Sequence, residues 1–357
     1  MPKRTWFLRC VATAAFLLLT NAFVAANLLR SFDLERRFLF LCVYAAVLCL
    51  LVFCFRRIRS TAPYPIKCIG AYGMGFFISL SMAAALTFLL PLPGWVMPAA
   101  AVILAIYGFL HARRIAVKYY SAPLLEEPFR LVLISDVHLG SVGSEERLPK
   151  LIERINEQAP DLVCIAGDLV DNCFPAVRNP DRAAALLCGI ESRYGVYACL
   201  GNHDAGESAA AMEDFMAAAG IRVLKEAYET VGPLQLLGRL DGKPHGNYVN
   251  SSRRETAELL RENPRPELSL IVMDHNPATI SQYDERCALL LCGHTHNGQI
   301  FPGSLVIRAI NTCGYGYYRK DEHSPHVVVS SGAGTWGPPM RMGTDCEIAV
   351  IELCHTH

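Results

Sequence analysis

Ten side chains that can hold a divalent cation or move a proton fall in five short blocks: Asp136 and His138; Asp168 and Asp171; Asn202, His203 and Asp204; His275; His294 and His296. Imidazole nitrogen with carboxylate or amide oxygen suits Mn²⁺, Fe or Zn²⁺, and the lack of thiolates at these positions argues against a structural zinc site. Cations in such a set act as Lewis acids and lower the pKa of water. Any one block alone could be a turn, a helix cap or a satisfied polar group. All five, however, stand just past the end of an apolar run.

Those runs are the elements that must position the chemistry. Residues 130–135 and 162–166 read as buried strands, continuously apolar rather than alternating. Between them Ser144 opens a helix with Leu148, Leu151, Ile152 and Ile155 on one face, closing before Pro160. A helix near 181–192 and a third strand over 195–200 follow. This β-α-β-α-β order predicts an α/β fold with a parallel sheet and right-handed crossovers. Later strands at 234–237, 268–273, 288–291 and 326–329 fit a mixed or second sheet. Five strands thus release an Asp, Asn or His at their carboxyl ends, where ligand sites of open α/β sheets form.

In order and spacing, Asp136-Val137-His138, Gly167-Asp168-Leu169-Val170-Asp171, Gly201-Asn202-His203-Asp204, His275 and Gly293-His294-Thr295-His296 resemble the calcineurin-like metallophosphoesterase superfamily. The resemblance covers roughly residues 128–354. The 293–299 block and the late Gly334-Thr335-Trp336-Gly337-Pro338-Pro339-Met340-Arg341 stretch look like the bacterial phosphodiesterase subgroup that includes YaeI and YkuE, whose vertebrate transmembrane relatives carry several N-terminal spans. Two departures touch loop shape: Asn297 stands where a second glycine is common, and Met273-Asp274 precedes His275 where Leu-Ser is usual.

The resemblance implies a four-layer α/β/β/α sandwich and two divalent ions, Mn²⁺, Zn²⁺ or Fe. Asp136, His138 and His296 would take the first, Asn202, His275 and His294 the second, with Asp168 and a hydroxide bridging them. Two such ions about 4 Å apart repel by roughly 16 kcal/mol at an effective dielectric of 20, so bridging anions are needed. The hydroxide would attack phosphorus in line, with His203 as general acid and Asp204 orienting its ring. Asp171 and Thr295 are candidate supports for the ligands. Arg341 is read as a phosphate contact or a structural ion pair. His245, His323 and His326 read as solvated, His111 as an interface residue, and His355 and His357 as part of a frayed tail.

Composition divides the chain in two. Of 357 residues, 52% are apolar and 18% charged, with mean hydropathy +0.26. Residues 1–120 carry 13 of the 33 Lys and Arg against two acids, a net +11; residues 121–357 carry 20 bases and 31 acids, a net −11. This predicts a membrane region over 1–120 and a catalytic region over 121–357, and it excludes a disordered chain, a coiled coil and a strongly basic nucleic-acid binder. Apolar stretches at about 6–29, 38–55, 66–90 and 92–112 predict four spanning helices. Ten Lys and Arg flank them on one side and three on the other, which puts the N-terminus and the catalytic region in the cytosol, as in a bacterial inner-membrane protein. Val24-Ala25-Ala26 could pass as a signal-peptidase site, and cleavage there would leave the later spans on the same sides. The fourteen cysteines show no paired framework and read as reduced, buried thiols. Without an intramembrane acid or a central basic residue, a transport pathway has little support.

A phosphodiesterase is the leading expectation, and the anchor makes a lipid-linked substrate attractive. The alternatives are a phosphomonoesterase or phosphoprotein phosphatase, a lipid-precursor pyrophosphatase, and a non-catalytic membrane scaffold.

Overall fold

The computed structural model describes residues 63–88, 95–171, 174–204, 209–242 and 253–354. The expected spans at 6–29 and 38–55, the turn between the last two spans, His245, His355 and His357 lie outside the described residues. The chain divides into two compact units, Met1–Ile58 with Ala62–Phe109, and Arg59–Thr61 with Leu110–His357.

In the first unit, α1 (Tyr64–Phe88) and all but the last two residues of α2 (Val96–His111) cover the third and fourth expected spans. Ala83, Ala84, Met97 and Ala101 are buried together between them, and the three alanines are small enough to let two helices approach closely. Residues Tyr64–Leu86 of α1 are long and apolar enough to cross a membrane. At 16 residues, α2 is about 24 Å long and falls short of a hydrocarbon core of about 30 Å.

The second unit holds β1 (Ile115–Leu125), β2 (Arg130–Ile134), α3 (Ser144–Asn156), β3 (Leu162–Ala166), α4 (Pro180–Leu187), β4 (Val196–Cys199), α5 (Ala209–Ala218) and β5 (Ile221–Val223). There follow β6 (Ala227–Val231), β7 (Leu234–Gly238), α6 (Thr256–Arg261), β8 (Ser269–Met273), β9 (Leu289–Cys292), α7 (Gly303–Ile310), β10 (Gly316–Tyr318), β11 (His326–Val329) and β12 (Cys346–Cys354). The boundary expected after residue 120 therefore falls inside a strand. The helix expected near 181–192 is shorter, ending at Leu187.

Two six-stranded mixed sheets form, ordered β1-β12-β2-β3-β4-β5 and β10-β11-β9-β8-β7-β6. In the first, only the β12–β2 pair is antiparallel; in the second, β10–β11 and β6–β7 are. Alternation along each strand decides the layering. Leu131, Leu133, Leu162 and Cys164 face a layer shared with Leu236, Ile271, Leu289 and Val328 of the second sheet. Val132, Ile134, Val163 and Ile165 face the opposite way, onto Leu151 and Ile155 of α3, Leu187 of α4 and Phe215 of α5. On the outer side of the second sheet, Val272, Leu290 and Val327 pack with Leu259 and Leu260 of α6. Strands buried on both faces have no polar positions to alternate, which is why they read as continuous apolar runs.

The consequence for chemistry is positional. Parallel neighbours β2, β3 and β4 end side by side in one sheet, and β8 and β9 end side by side in the other. The five blocks of polar residues leave from these ends.

Candidate metal centre

The five loops bring their nitrogen and oxygen atoms into contact. His138 Nε2 lies 3.1 Å from His296 Nε2, and His296 Nε2 lies 3.4 Å from Asp136 Oδ1. In a second group, His275 Nε2 lies 3.1 Å from Asp168 Oδ2 and 3.2 Å from Asn202 Oδ1. His294 Nδ1 lies 2.8 Å from the same Asn202 oxygen and 3.3 Å from His275 Nε2. Asp168 Oδ2 also lies 3.9 Å from His138 Nε2, so this carboxylate stands between the groups. Ligands about 2.1 Å from a cation at right angles are about 3.0 Å apart, close to these separations. Two imidazole nitrogens facing each other at 3.1 Å with carboxylates beside them fit a cation better than a hydrogen-bond network. The donor set, all nitrogen and oxygen, fits Mn²⁺, Fe or Zn²⁺.

Support behind the ligands sets their tautomers. His275 Nδ1 donates to the Ala166 carbonyl at 2.7 Å, which turns Nε2 inward toward Asp168 and Asn202 and leaves it free of a proton for a cation. Asp171 Oδ1 lies 3.6 Å from His138 Nδ1 and accepts from His203 Nδ1 at 2.9 Å. The ring of His203 is therefore held by Asp171 and not, as expected from the sequence, by Asp204. The Asp204 carboxylate instead accepts the backbone N–H groups of Asp168, Gly201 and Val170 at 2.6, 2.9 and 3.0 Å, tying two site loops together. Burial, and then the Asp168 charge, push its carboxyl up to about 6.

Two opposed trends run through the other groups. Burial would raise Asp168, yet the His275 imidazole, with His203 and His138, holds it well below the usual carboxylate range. Burial would likewise raise Asp171, and the neighbouring imidazoles of His138 and His203 bring it down. His138 and His275 go up despite burial, through Asp171 and Asp168 respectively. His294 and His296 go down, first by burial and then by the neighbouring imidazoles His275 and His138.

The backbone is strained at this centre. Asp136, His138, Asp168, His294 and His296 all have φ between 50° and 71°, a region that residues with side chains seldom adopt. Such strain persists only where surrounding structure over-determines it, and it collects at functional sites. Close packing adds to it: a Cβ on Gly201 would overlap the Asp168 carboxylate, and one on Gly293 would overlap that of Asp136. Asn297 also sits in the left-handed region, at φ 48° and ψ 33°, where asparagine is the best substitute for glycine.

Other sequence expectations are redistributed. Arg341 is fully buried and donates to the carbonyls of His296, Ser331 and Gly334 at 2.8, 2.6 and 2.8 Å. It therefore neither reaches toward a phosphate nor forms the expected ion pair; it fastens the His296 turn to the 331–334 loop. Thr295 Oγ1 donates to the Gly314 carbonyl at 2.7 Å and accepts from Asn297 N at 3.1 Å, which shapes the turn rather than the ligand cluster. His326, expected to be solvated, is buried in β11 with Nδ1 2.7 Å from the Tyr317 hydroxyl. The unusual Asp274 is explained by Arg253, whose two guanidinium nitrogens donate to its carboxylate at 3.0 and 2.7 Å.

A cleft of about 350 Å³ opens over the cluster, lined by Asp168, Asn202, His203, His294, His296 and Trp336 among others. Gln299 closes the 293–299 block. Its amide donates to the carbonyls of Trp336 and Pro338 at 2.9 and 3.2 Å and accepts from Trp336 N at 2.8 Å, holding the late loop at the rim.

The profile of the family described as calcineurin-like phosphoesterase matches residues 129–298, the segment that supplies every side chain of the cluster above. An uncharacterized metallophosphoesterase of Aquifex aeolicus is 30% identical over 262 residues, covering 71% of this chain and 97% of that protein. The chain belongs to the calcineurin-like metallophosphoesterase family. An uncharacterized metallophosphoesterase of Campylobacter jejuni is 32% identical over 235 residues, covering 65% of this chain and 60% of that protein. A protein of Danio rerio named transmembrane protein with metallophosphoesterase domain is 30% identical over 277 residues, covering 70% and 60%. The chain thus spans 60% of the length of these last two relatives. The clustered His and Asp side chains, Asp136 with His138 and His296, and Asp168 with His275 and His294, are of a kind that could hold a divalent ion.

Proposed function

We propose that this metallophosphoesterase is a membrane-anchored, two-cation phosphodiesterase of the YkuE-like subgroup, acting on a lipid-linked substrate. The observation that carries the two-cation reading is Asp168, whose Oδ2 stands 3.1 Å from His275 Nε2 and 3.9 Å from His138 Nε2, between two groups of donors. Asp136, His138, His296 and Asp168 would hold one ion; Asp168, Asn202, His275 and His294 would hold the other. When bound, the ions supply a strong nucleophile from water at neutral pH and neutralise charge on the phosphoryl oxygens. The chain's own part is to orient and to move a proton. With Nδ1 of His203 committed to Asp171, Nε2 is the nitrogen that hands a proton to the leaving oxygen. Asp204 is a positioning residue that sets the distance between the Asp168 and Asn202 loops.

Three features support the anchor: α1, apolar over a spanning length, the basic bias of residues 1–120, and a zebrafish relative named as transmembrane. The Lys and Arg flanking the apolar stretches put the catalytic unit on the cytosolic face. The late Gly334–Arg341 stretch supports diesters over monoesters, and the anchor supports a lipid-linked ester.

The test uses the full chain, stripped of metal and resupplied in turn with Mn²⁺, Zn²⁺ and Fe²⁺, on paired aryl phosphodiester and aryl phosphomonoester substrates. Faster diester turnover is expected, with Mn²⁺ the most effective ion. Faster monoester turnover would reassign the chain to phosphatases. A metal-loaded protein silent on both would leave a scaffold.

A further inference from the structure

Five residues beyond Gly298, α7 begins, and of its eight residues only Ser304 is buried. Leu305 is 54% exposed, Val306 56% and Ile310 70%, while Phe301 just ahead of the helix is 49% exposed. On a 3.6-residue period Leu305, Val306, Ala309 and Ile310 share one face, with the buried Ser304 opposite. A helix on a water-facing surface carries polar residues on its outer face; here the outer face is the apolar one. Charge reverses locally as well. Residues 301–318 hold Arg308 and no acid, inside a region of net −11, whereas Arg319 and Lys320 beyond them are followed at once by Asp321 and Glu322, with Lys320 Nζ 3.9 Å from Asp321 Oδ2. Arg308 is itself exposed. The same chain carries α1, long and apolar enough to cross a membrane.

We infer that α7 and Phe301 rest on an anionic lipid surface, with Leu305, Val306 and Ile310 in the acyl boundary and Arg308 against headgroup phosphates. Short apolar faces edged by cations bind membrane interfaces in this way, by buried area and by attraction to anionic lipid together. The helix is rigidly coupled to the metal cluster. Gly303 donates to the Ile300 carbonyl at 2.8 Å, and a Cβ on Gly298, which closes the turn carrying His296, would overlap the Gly303 backbone. A lipid surface held by α7 is therefore held beside the cleft. Resting on the phosphodiesterase reading, this makes a lipid headgroup phosphoester the substrate class.

The decisive experiment places the full-length Leu305→Trp variant in vesicles of phosphatidylglycerol or phosphatidylcholine whose acyl chains are brominated, with wild type as the baseline for Trp6, Trp95 and Trp336. Added emission that brominated phosphatidylglycerol quenches, and more strongly than brominated phosphatidylcholine does, is the expected result. Unquenched emission at the wavelength of tryptophan in water overturns the inference. Unquenched but blue-shifted emission also overturns it, because protein then covers the face; one chain per nanodisc separates a second copy from the chain's own N-terminal segment. Val306→Trp repeats the measurement on the neighbouring position should Leu305→Trp fold poorly. Aryl phosphodiester turnover on the same vesicles separates the two claims. Activity without quenching ends the docking surface and leaves the phosphodiesterase, and quenching without activity does the reverse.

Discussion

His203 and Asp204 are adjacent in the chain and do different work. His203 faces the cleft with its ring fixed by Asp171, whereas Asp204 turns away to gather three backbone N–H groups. Replacing His203 with Ala should lower kcat by roughly 10²–10⁴-fold, the usual size of a lost general acid, with metal content by elemental analysis unchanged. Loss of metal in that variant would make His203 a ligand instead. Asp204→Asn should act on stability: an amide group set among N–H donors leaves buried donors unmet, at a cost of about 2–4 kcal/mol. Its melting temperature should fall well below that of His203→Ala, while turnover per folded molecule falls less.

At the scale of elements, β1 matters most for how the catalytic unit is bounded. It runs from Ile115 to Leu125 and pairs with β12 residue by residue from Ile115 to Ser121. A fragment begun at Ala122 discards this ladder and exposes β12 as a long apolar edge. Such a fragment should aggregate, while one begun at Arg113 should stay soluble by size-exclusion chromatography. Near the same end, Asp345 accepts from Lys118 Nζ at 3.0 Å and contacts His111 Nε2 at 2.9 Å. Burial would raise its carboxyl, and Lys118 and then His111 hold it below the ordinary value. A carboxyl lowered on folding contributes stability above its unfolded pKa of about 3.9 and loses it as pH falls through the folded value. Asp345→Asn should therefore cost about 0.5–1 kcal/mol at neutral pH, the site being partly exposed, and the gap to wild type in thermal melts should close below about pH 4.

For the whole molecule, the cluster draws its side chains from the ends of both sheets, so a metal bound there would act as a clasp across the sandwich. Adding Mn²⁺ at about 100 times its Kd should raise stability by about 2.7 kcal/mol in calorimetry, and chelation should remove the gain. An equal melting curve with and without metal would separate the cluster from the fold. The sequence by itself determined a good deal here. Apolar runs at Leu131–Ile134, Leu162–Ala166 and Leu289–Cys292 announced buried strands, because a strand covered on both faces has no polar position to spare. The Asp, Asn and His residues just past them announced the site, because strand ends are where such side chains leave the sheet. The 3.6-residue spacing of Leu148, Leu151, Ile152 and Ile155 announced α3. Tertiary structure alone decided the rest. β1 hides in sequence, since Lys118, Tyr119 and Ser121 face partly outward on an edge strand and its partner β12 lies over 200 residues away. Which acid holds the His203 ring depends on a loop 32 residues upstream, and Arg341 found carbonyls because distant loops close around it. Local pattern reports burial and period, which each residue carries with it. The direction in which a side chain finally points depends on sheet register and loop closure, and those are properties of the packed whole.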